Sequence, residues 1–158
     1  MKKVAIIGAG QVAEKVHAAY YLTKPETFQL VAVVDPNLAR AELFCQRNQF
    51  KQAYTSTTEM LIEEQPDIVS VCTPNRFHYD SVMSALAAGC SVFCEKPPAM
   101  TSLEAKNMWK LAEKKSVCLA YDFQHRYSPE AQMLKENIAL LGDIYYSCLL
   151  YTSDAADE

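Results

Sequence analysis

The stretch Cys94-Glu95-Lys96-Pro97-Pro98 places one lysine between an apolar, strand-like run and two prolines. Each proline fixes φ and removes a backbone donor, so the turn is stiff, and one X–Pro bond there is a candidate for the cis form. A rigidly held ammonium can donate a proton to a substrate hydroxyl, or take one from it, as hydride leaves the carbon beside it. The competing reading of Lys96 is a solvated loop lysine, the usual state of lysines. Gly8-Ala9-Gly10-Gln11-Val12-Ala13 has the spacing G-x-G-x-x-[GA] after an apolar run. In that spacing Gly8 permits a tight turn, Gly10 admits a close pyrophosphate, and Ala13 keeps the following helix near its strand. The first helical N–H groups, around Gln11 and Val12, face the phosphates. Such turns also serve packing alone, so the discriminator is an acid roughly 20 residues on, at the end of the second strand. Asp35 closes Leu30-Val31-Ala32-Val33-Val34 and is placed to accept from the hydroxyls of an adenine ribose. Its charge repels a 2′-phosphate, which favours NAD; Arg40 stands close enough to keep NADP open. Asp35 is otherwise a turn residue before Pro36.

A third group is Cys72-Thr73-Pro74-Asn75-Arg76-Phe77-His78. A hydroxyl, a rigid turn and an amide at Thr73, Pro74 and Asn75, just past a strand, suit a nicotinamide ribose and amide. His78 opens the next helix, either as part of that site or as a helix residue without chemistry.

These groups need a scaffold that brings strand ends together. Apolar runs at 3–7, 28–34, 67–73, 90–95 and 117–123 alternate with helical patterns at 11–22, 38–48, 57–65, 78–89, 102–115 and 128–141. The strand runs are continuous rather than alternating, as parallel strands covered on both faces read. Strand–helix alternation with short loops predicts a doubly wound, mostly parallel α/β sheet, the Rossmann dinucleotide-binding fold. Ligands of such sheets sit beyond the carboxyl ends of the strands, which is where the three groups fall.

The net charge of −4 argues against nucleic acid or an anionic membrane as a partner. The six cysteines form no C-x-x-C pair and no Cys/His alternation, so zinc is not expected and buried reduced thiols are. The apolar run at 4–7 is too short for a secretory signal, and no segment is long enough to span a membrane. A cytoplasmic protein is expected.

The groups GAGQVA, VAVVD, CTPNRFH and EKPPAM, in this order and spacing, resemble the Gfo/Idh/MocA family of NAD(P)-dependent oxidoreductases over roughly residues 2–147. The resemblance implies that Lys96 contacts both cofactor and substrate, with Glu95 beside it. It implies that Thr73, Asn75 and His78 belong to the strand-edge site, and that the substrate is a small polyol or sugar. Gln124 and Arg126, in Phe123–Pro129, match the segment that crosses into the family's substrate domain and are weaker substrate candidates. Members of the family carry a second domain with an aspartate and a histidine that complete the catalytic group; Asp122 and His125 precede that domain and are not that pair. Residues 1–122 are therefore expected to form the dinucleotide domain and 123–147 the crossover and the start of a truncated substrate domain, with a first strand at 143–147. Residues 148–158 back-translate to a string resembling a transposase-type sequencing adapter and are expected to be a non-native, poorly packed tail. On this reading the chain binds NAD without useful turnover, and its full-length parent is a homo-oligomer. Two other readings stay open: a non-catalytic NAD(P) sensor of the same fold, and a Rossmann domain for some other nucleotide.

Overall fold

A computed structural model describes residues 1–144 of the chain. The first compact unit, Met1–Asp122, contains one six-stranded sheet. Its strands are β1 (Lys2–Ile7), β2 (Phe28–Val34), β3 (Gln52–Tyr54), β4 (Ile68–Val71), β5 (Ser91–Cys94) and β6 (Leu119–Tyr121), in the spatial order β3-β2-β1-β4-β5-β6. All neighbours run parallel. Between them lie a π-helical run Ala13–Ala18 that continues as α1 (Ala19–Leu22), then α2 (Leu38–Asn48), α3 (Thr57–Glu64), α4 (His78–Ala87) and α5 (Ser102–Lys115).

Alternate residues of β1 feed two separate cores. Ala5 and Ile7 join Val69, Val71, Leu86 and Met108 on one face, while Val4 and Ile6 join Val33, Tyr21 and Phe44 on the other. Both faces are covered, which is why the strand runs carry no polar alternation. The helix ends have local causes. Asn37 and Ser56 side chains accept from the N–H groups of Arg40 and Glu59. Thr101 and Glu104 form a reciprocal capping box at the start of α5. After α4, Gly89 takes φ +88°, the left-handed conformation that ends a helix.

Two expectations need correcting. The edge strand β3 was not among the predicted strands: three residues carry too little pattern, and Gln52–Tyr54 becomes a strand because β2 offers it a free edge. Of the cysteines expected to be buried, Cys45, Cys90 and Cys94 are, Cys72 is partly so, and Cys118 is exposed, just before the edge strand β6.

The second unit begins at Phe123. Its described part is a 3-10 turn, Gln124–Tyr127, then α6 (Pro129–Asn137) and a 3-10 turn, Ile138–Leu141. Ser128 caps α6 by accepting from the Ala131 N–H, and Pro129 fills the first helical position, where no N–H is needed. The strand expected over 143–147, beyond Asp143 and Ile144, and the tail expected over 148–158 lie outside the described residues. Among the described residues no helix is long and apolar enough to cross a membrane.

Candidate cofactor-binding site

The strand order reverses between β1 and β4, and a crevice of about 500 Å³ opens beyond the carboxyl ends of these strands. Its walls include Gly8, Ala9 and Gly10 of the first turn, Asp35 and Arg40 beyond β2, and Thr73, Pro74 and Phe77 beyond β4. That size is typical of a ligand site. The glycines divide the work. Gly8 has φ +100°, and a Cβ there would stand 2.6 Å from the Cys72 carbonyl oxygen, so Gly8 lets the β1 turn press against the end of β4. At Gly10 a Cβ would meet nothing within 4 Å, which leaves bare backbone facing open space. Gln11 and Val12 are exposed at the start of the helix, whose first turn is closed by the Glu14 N–H on the Gly10 carbonyl at 3.1 Å. The N–H groups ahead of that bond have no partner within the helix and can meet an anion.

Asp35 is 4% exposed, and its side chain ties the crevice together. Oδ2 accepts from the Ala9 N–H at 3.1 Å; Oδ1 accepts from the Asn37 N–H at 2.9 Å and from Arg40 Nη2 at 2.7 Å. Burial pushes this carboxyl up, but the hydrogen bonds from Arg40, Asn37 and Ala9 outweigh it and hold Asp35 below the usual aspartate value. A carboxylate has about four acceptor sites, so three donors leave room for a ribose hydroxyl. Arg40, half exposed, shares this corner and offsets the charge of Asp35.

Thr73 Oγ1 is buried at the crevice without a hydrogen-bond partner. Such an atom is costly unless something completes it. Pro74 lines the crevice beside it, and Asn75 is exposed on the 3-10 turn Asn75–Phe77. Of the two readings of His78, the structure shows a helix-opening residue off the crevice wall. It is fully buried, with Nε2 2.7 Å from the Thr73 carbonyl oxygen and Nδ1 2.8 Å from that of Pro97. Its ring clamps the turn after β4 to the turn after β5 and has no nitrogen left for a ligand.

Lys96 is exposed at the end of β5, next to β4 on the same sheet edge, and is not on the crevice wall. The Lys96–Pro97 bond is cis. Glu95 turns inward: Oε1 meets His17 Nε2 at 3.0 Å, and Oε2 accepts the Lys96 N–H at 3.2 Å. His17, Glu95 and Asp122 bring ligand-type atoms within 4.8 Å of one another, and the 3.0 Å contact of His17 Nε2 with Glu95 Oε1 already engages two of these atoms. In the second unit Gln124 and Arg126 lie on the first 3-10 turn, both exposed.

Sequence reasoning did not find Phe77 on the crevice wall, nor His17 and Asp122 beside Glu95. For Asp122 a signal existed, because it too follows the carboxyl end of a strand, the position that had singled out Asp35 and Thr73. His17 carried none, since one histidine within a helical pattern reads as an ordinary buried residue.

Residues 2–123 match the Gfo/Idh/MocA family, described as an oxidoreductase family with an NAD-binding Rossmann fold. The D-glucoside 3-dehydrogenase of Escherichia coli (strain K12) is 48% identical over 145 residues, which cover 90% of this chain and 41% of that protein. An NAD binding oxidoreductase from Klebsiella pneumoniae superposes with a TM-score of 0.77 at 31% identity, covering 91% of this chain and 40% of that one. GenD2 from gentamicin A biosynthesis, solved in complex with NAD, superposes with a TM-score of 0.78 at 26% identity, covering 90% of this chain and 39% of its own. The chain thus spans less than half the length of these relatives.

Proposed function

The chain belongs to the Gfo/Idh/MocA oxidoreductase family with an NAD-binding Rossmann fold, and from that premise we propose that its first unit binds NAD. We further propose that the whole protein moves hydride between NAD and a hydroxyl-bearing carbon of a sugar, a cyclitol or a derivative. The observation that carries the reading is the crevice where the strand order reverses. There the open backbone at Gly10, the acceptor Asp35 and the unpaired buried hydroxyl of Thr73 face one space. The similarity to a D-glucoside 3-dehydrogenase supports the sugar-like substrate.

In this reading Gly8 shapes the turn, and the backbone at Gly10, Gln11 and Val12 receives the pyrophosphate. Asp35 orients the adenine ribose, which favours NAD; Arg40 beside it leaves a route to NADP, whose 2′-phosphate a guanidinium accommodates. Thr73, Pro74 and Asn75 receive the nicotinamide half, and His78 keeps their turn against the one that carries Lys96. When bound, NAD supplies the hydride-accepting carbon. Lys96 takes the proton from the substrate hydroxyl oxygen as the carbon–hydrogen bond beside it breaks, and returns it in the reverse direction. Gln124 and Arg126 serve as substrate contacts. The full-length protein works in the cytoplasm, as the lack of a secretory signal pattern at residues 4–7 suggests, and as a homo-oligomer, as the resemblance to its family implies.

Fluorescence titration of the chain with NADH, NADPH and ATP tests the cofactor half. Tighter binding of NADH than of the other two is expected, and equal or absent binding of all three refutes it. Oxidation of a polyol panel by the full-length protein tests the rest. Lys96→Ala should lower the rate by about 10²–10⁴, the usual worth of a positioned acid or base; bound NAD with no turnover of any polyol, and no effect of that substitution, favours the sensor reading.

A further inference from the structure

Three buried or half-buried side chains from separate elements meet behind Lys96. His17 comes from the π-helical run, Glu95 follows β5 and Asp122 follows β6. His17 is 3% exposed and its Nε2 lies 3.0 Å from Glu95 Oε1; the Lys96 N–H donates to Oε2 of the same carboxylate at 3.2 Å; a carboxyl oxygen of Asp122 lies within 4.8 Å of this pair. We propose that Glu95 is a positioning residue for Lys96, held in place by the imidazole of His17.

Burial and the neighbouring Glu95 push Asp122 above the usual aspartate value. Burial also acts to raise Glu95, but the hydrogen bond and charge of His17, the Lys96 N–H and Asp122 hold it below the usual glutamate value. The other groups that act on the pair are the Lys96 ammonium and the thiols of Cys72 and Cys94. Burial raises Cys72 well above the ordinary thiol value and Cys94 to about 12, so both thiols stay neutral. Glu95 thus meets two observed partners, the His17 ring and the Lys96 N–H. A side chain held at both oxygens fixes the peptide that leads into Lys96, so Glu95 acts on a bound cofactor through the placement of the lysine.

This inference rests on the reading that Lys96 serves bound NAD, and two measurements on the 158-residue chain separate the two claims. The first is a double-mutant cycle in NADH affinity with Glu95→Gln and Lys96→Ala. Glutamine keeps the shape of Glu95 but turns one oxygen into a donor, which opposes either the Lys96 N–H or His17. Each single substitution should weaken NADH about tenfold, the worth of one charged hydrogen bond. Adding Glu95→Gln to Lys96→Ala should weaken it less than twofold further. Equal loss from Glu95→Gln in both backgrounds overturns the proposal, because a merely structural defect would add. If Glu95→Gln does not fold, His17→Gln decides the same cycle. The second measurement follows the Glu95 side-chain carboxyl resonance of the free chain by ¹³C NMR. His17→Gln should shift it, because the ring that meets Oε1 is lost, whereas Lys96→Ala, which keeps the backbone N–H, should leave it nearly unmoved. A resonance unmoved by His17→Gln overturns the proposal even where NADH binds well. A wild-type chain that shows the His17-dependent shift but binds no NADH retires the NAD reading and leaves the hold on the lysine peptide standing.

Discussion

Replacing Gly8 by alanine should damage the fold, whereas the same change at Gly10 should damage only binding. At Gly8 the new methyl group would stand 2.6 Å from the Cys72 carbonyl oxygen, 2.8 Å from its carbon and 3.0 Å from the Thr73 nitrogen, all of them backbone atoms held by β4. A rotamer change cannot relieve such contacts, so β1 and β4 must separate, at roughly 1–3 kcal/mol for overpacking. The φ of +100° adds about 1–2 kcal/mol for a residue with a Cβ. The sum, about 2–5 kcal/mol, is a large part of the stability of a small domain and corresponds to about 8–20 °C in Tm. At Gly10 a Cβ meets nothing within 4 Å and φ is not left-handed, so Tm should move by less than about 2 °C. The methyl group would instead fill the space assigned to the pyrophosphate and should weaken NADH by at least about tenfold. Thermal melts of both variants and NADH titrations of Gly10→Ala give the readout. An unchanged melt for Gly8→Ala refutes the close-packed turn. A Gly10→Ala variant that binds NADH normally refutes the phosphate cradle.

Substituting Asp35 by Ser should narrow the preference for NADH over NADPH, because a neutral side chain no longer opposes a 2′-phosphate and Arg40 is released to meet it; parallel fluorescence titrations check this, and an unchanged ratio removes Asp35 from the ribose role. The same carboxylate contributes to acid stability. Its folded pKa lies below the ordinary 3.8, so it stabilises the fold above that value and the contribution fades as pH falls through the depressed folded value; urea melts from pH 6 to pH 2 should show Asp35→Asn losing its deficit relative to wild type at the acid end. Asp122 has the opposite sign. Its folded pKa is raised above 3.8, so its ionisation opposes folding progressively as pH rises from 3.8 through the raised value. Asp122→Asn should therefore match wild type near pH 3 and gain stability over it towards pH 8, and a constant difference across that range would contradict the buried-acid assignment. Finally, His78→Phe should lower Tm, because a phenyl ring offers no N–H to the Thr73 and Pro97 carbonyls that lie 2.7 and 2.8 Å from the imidazole nitrogens, and a buried carbonyl left unpaired costs about 1–3 kcal/mol.

Much of this protein was readable from neighbouring residues alone. The continuous apolar runs of β1, β2 and β4, the helical periods between them, the glycine spacing at 8–13 and the acid at 35 are patterns over a few residues, and each reflects a local demand: a buried strand, an amphipathic helix, a turn that only glycine permits. The parallel Rossmann sheet follows from their alternation. Other features depend on distance through space. Gln52–Tyr54 is a strand only because the edge of β2 lies beside it. His78 had two readings, site residue or helix residue, until its ring was found between carbonyls five and nineteen positions away in the chain. Residues 17 and 95, 78 positions apart, meet because one helix packs across the edge of the sheet, and Asp122 joins them because β6 ends beside β5. The spacing of residue types along the chain sets which elements form and which strand ends they expose. Which side chains share a hydrogen bond is settled only by packing, since it requires atoms within about 3 Å of each other.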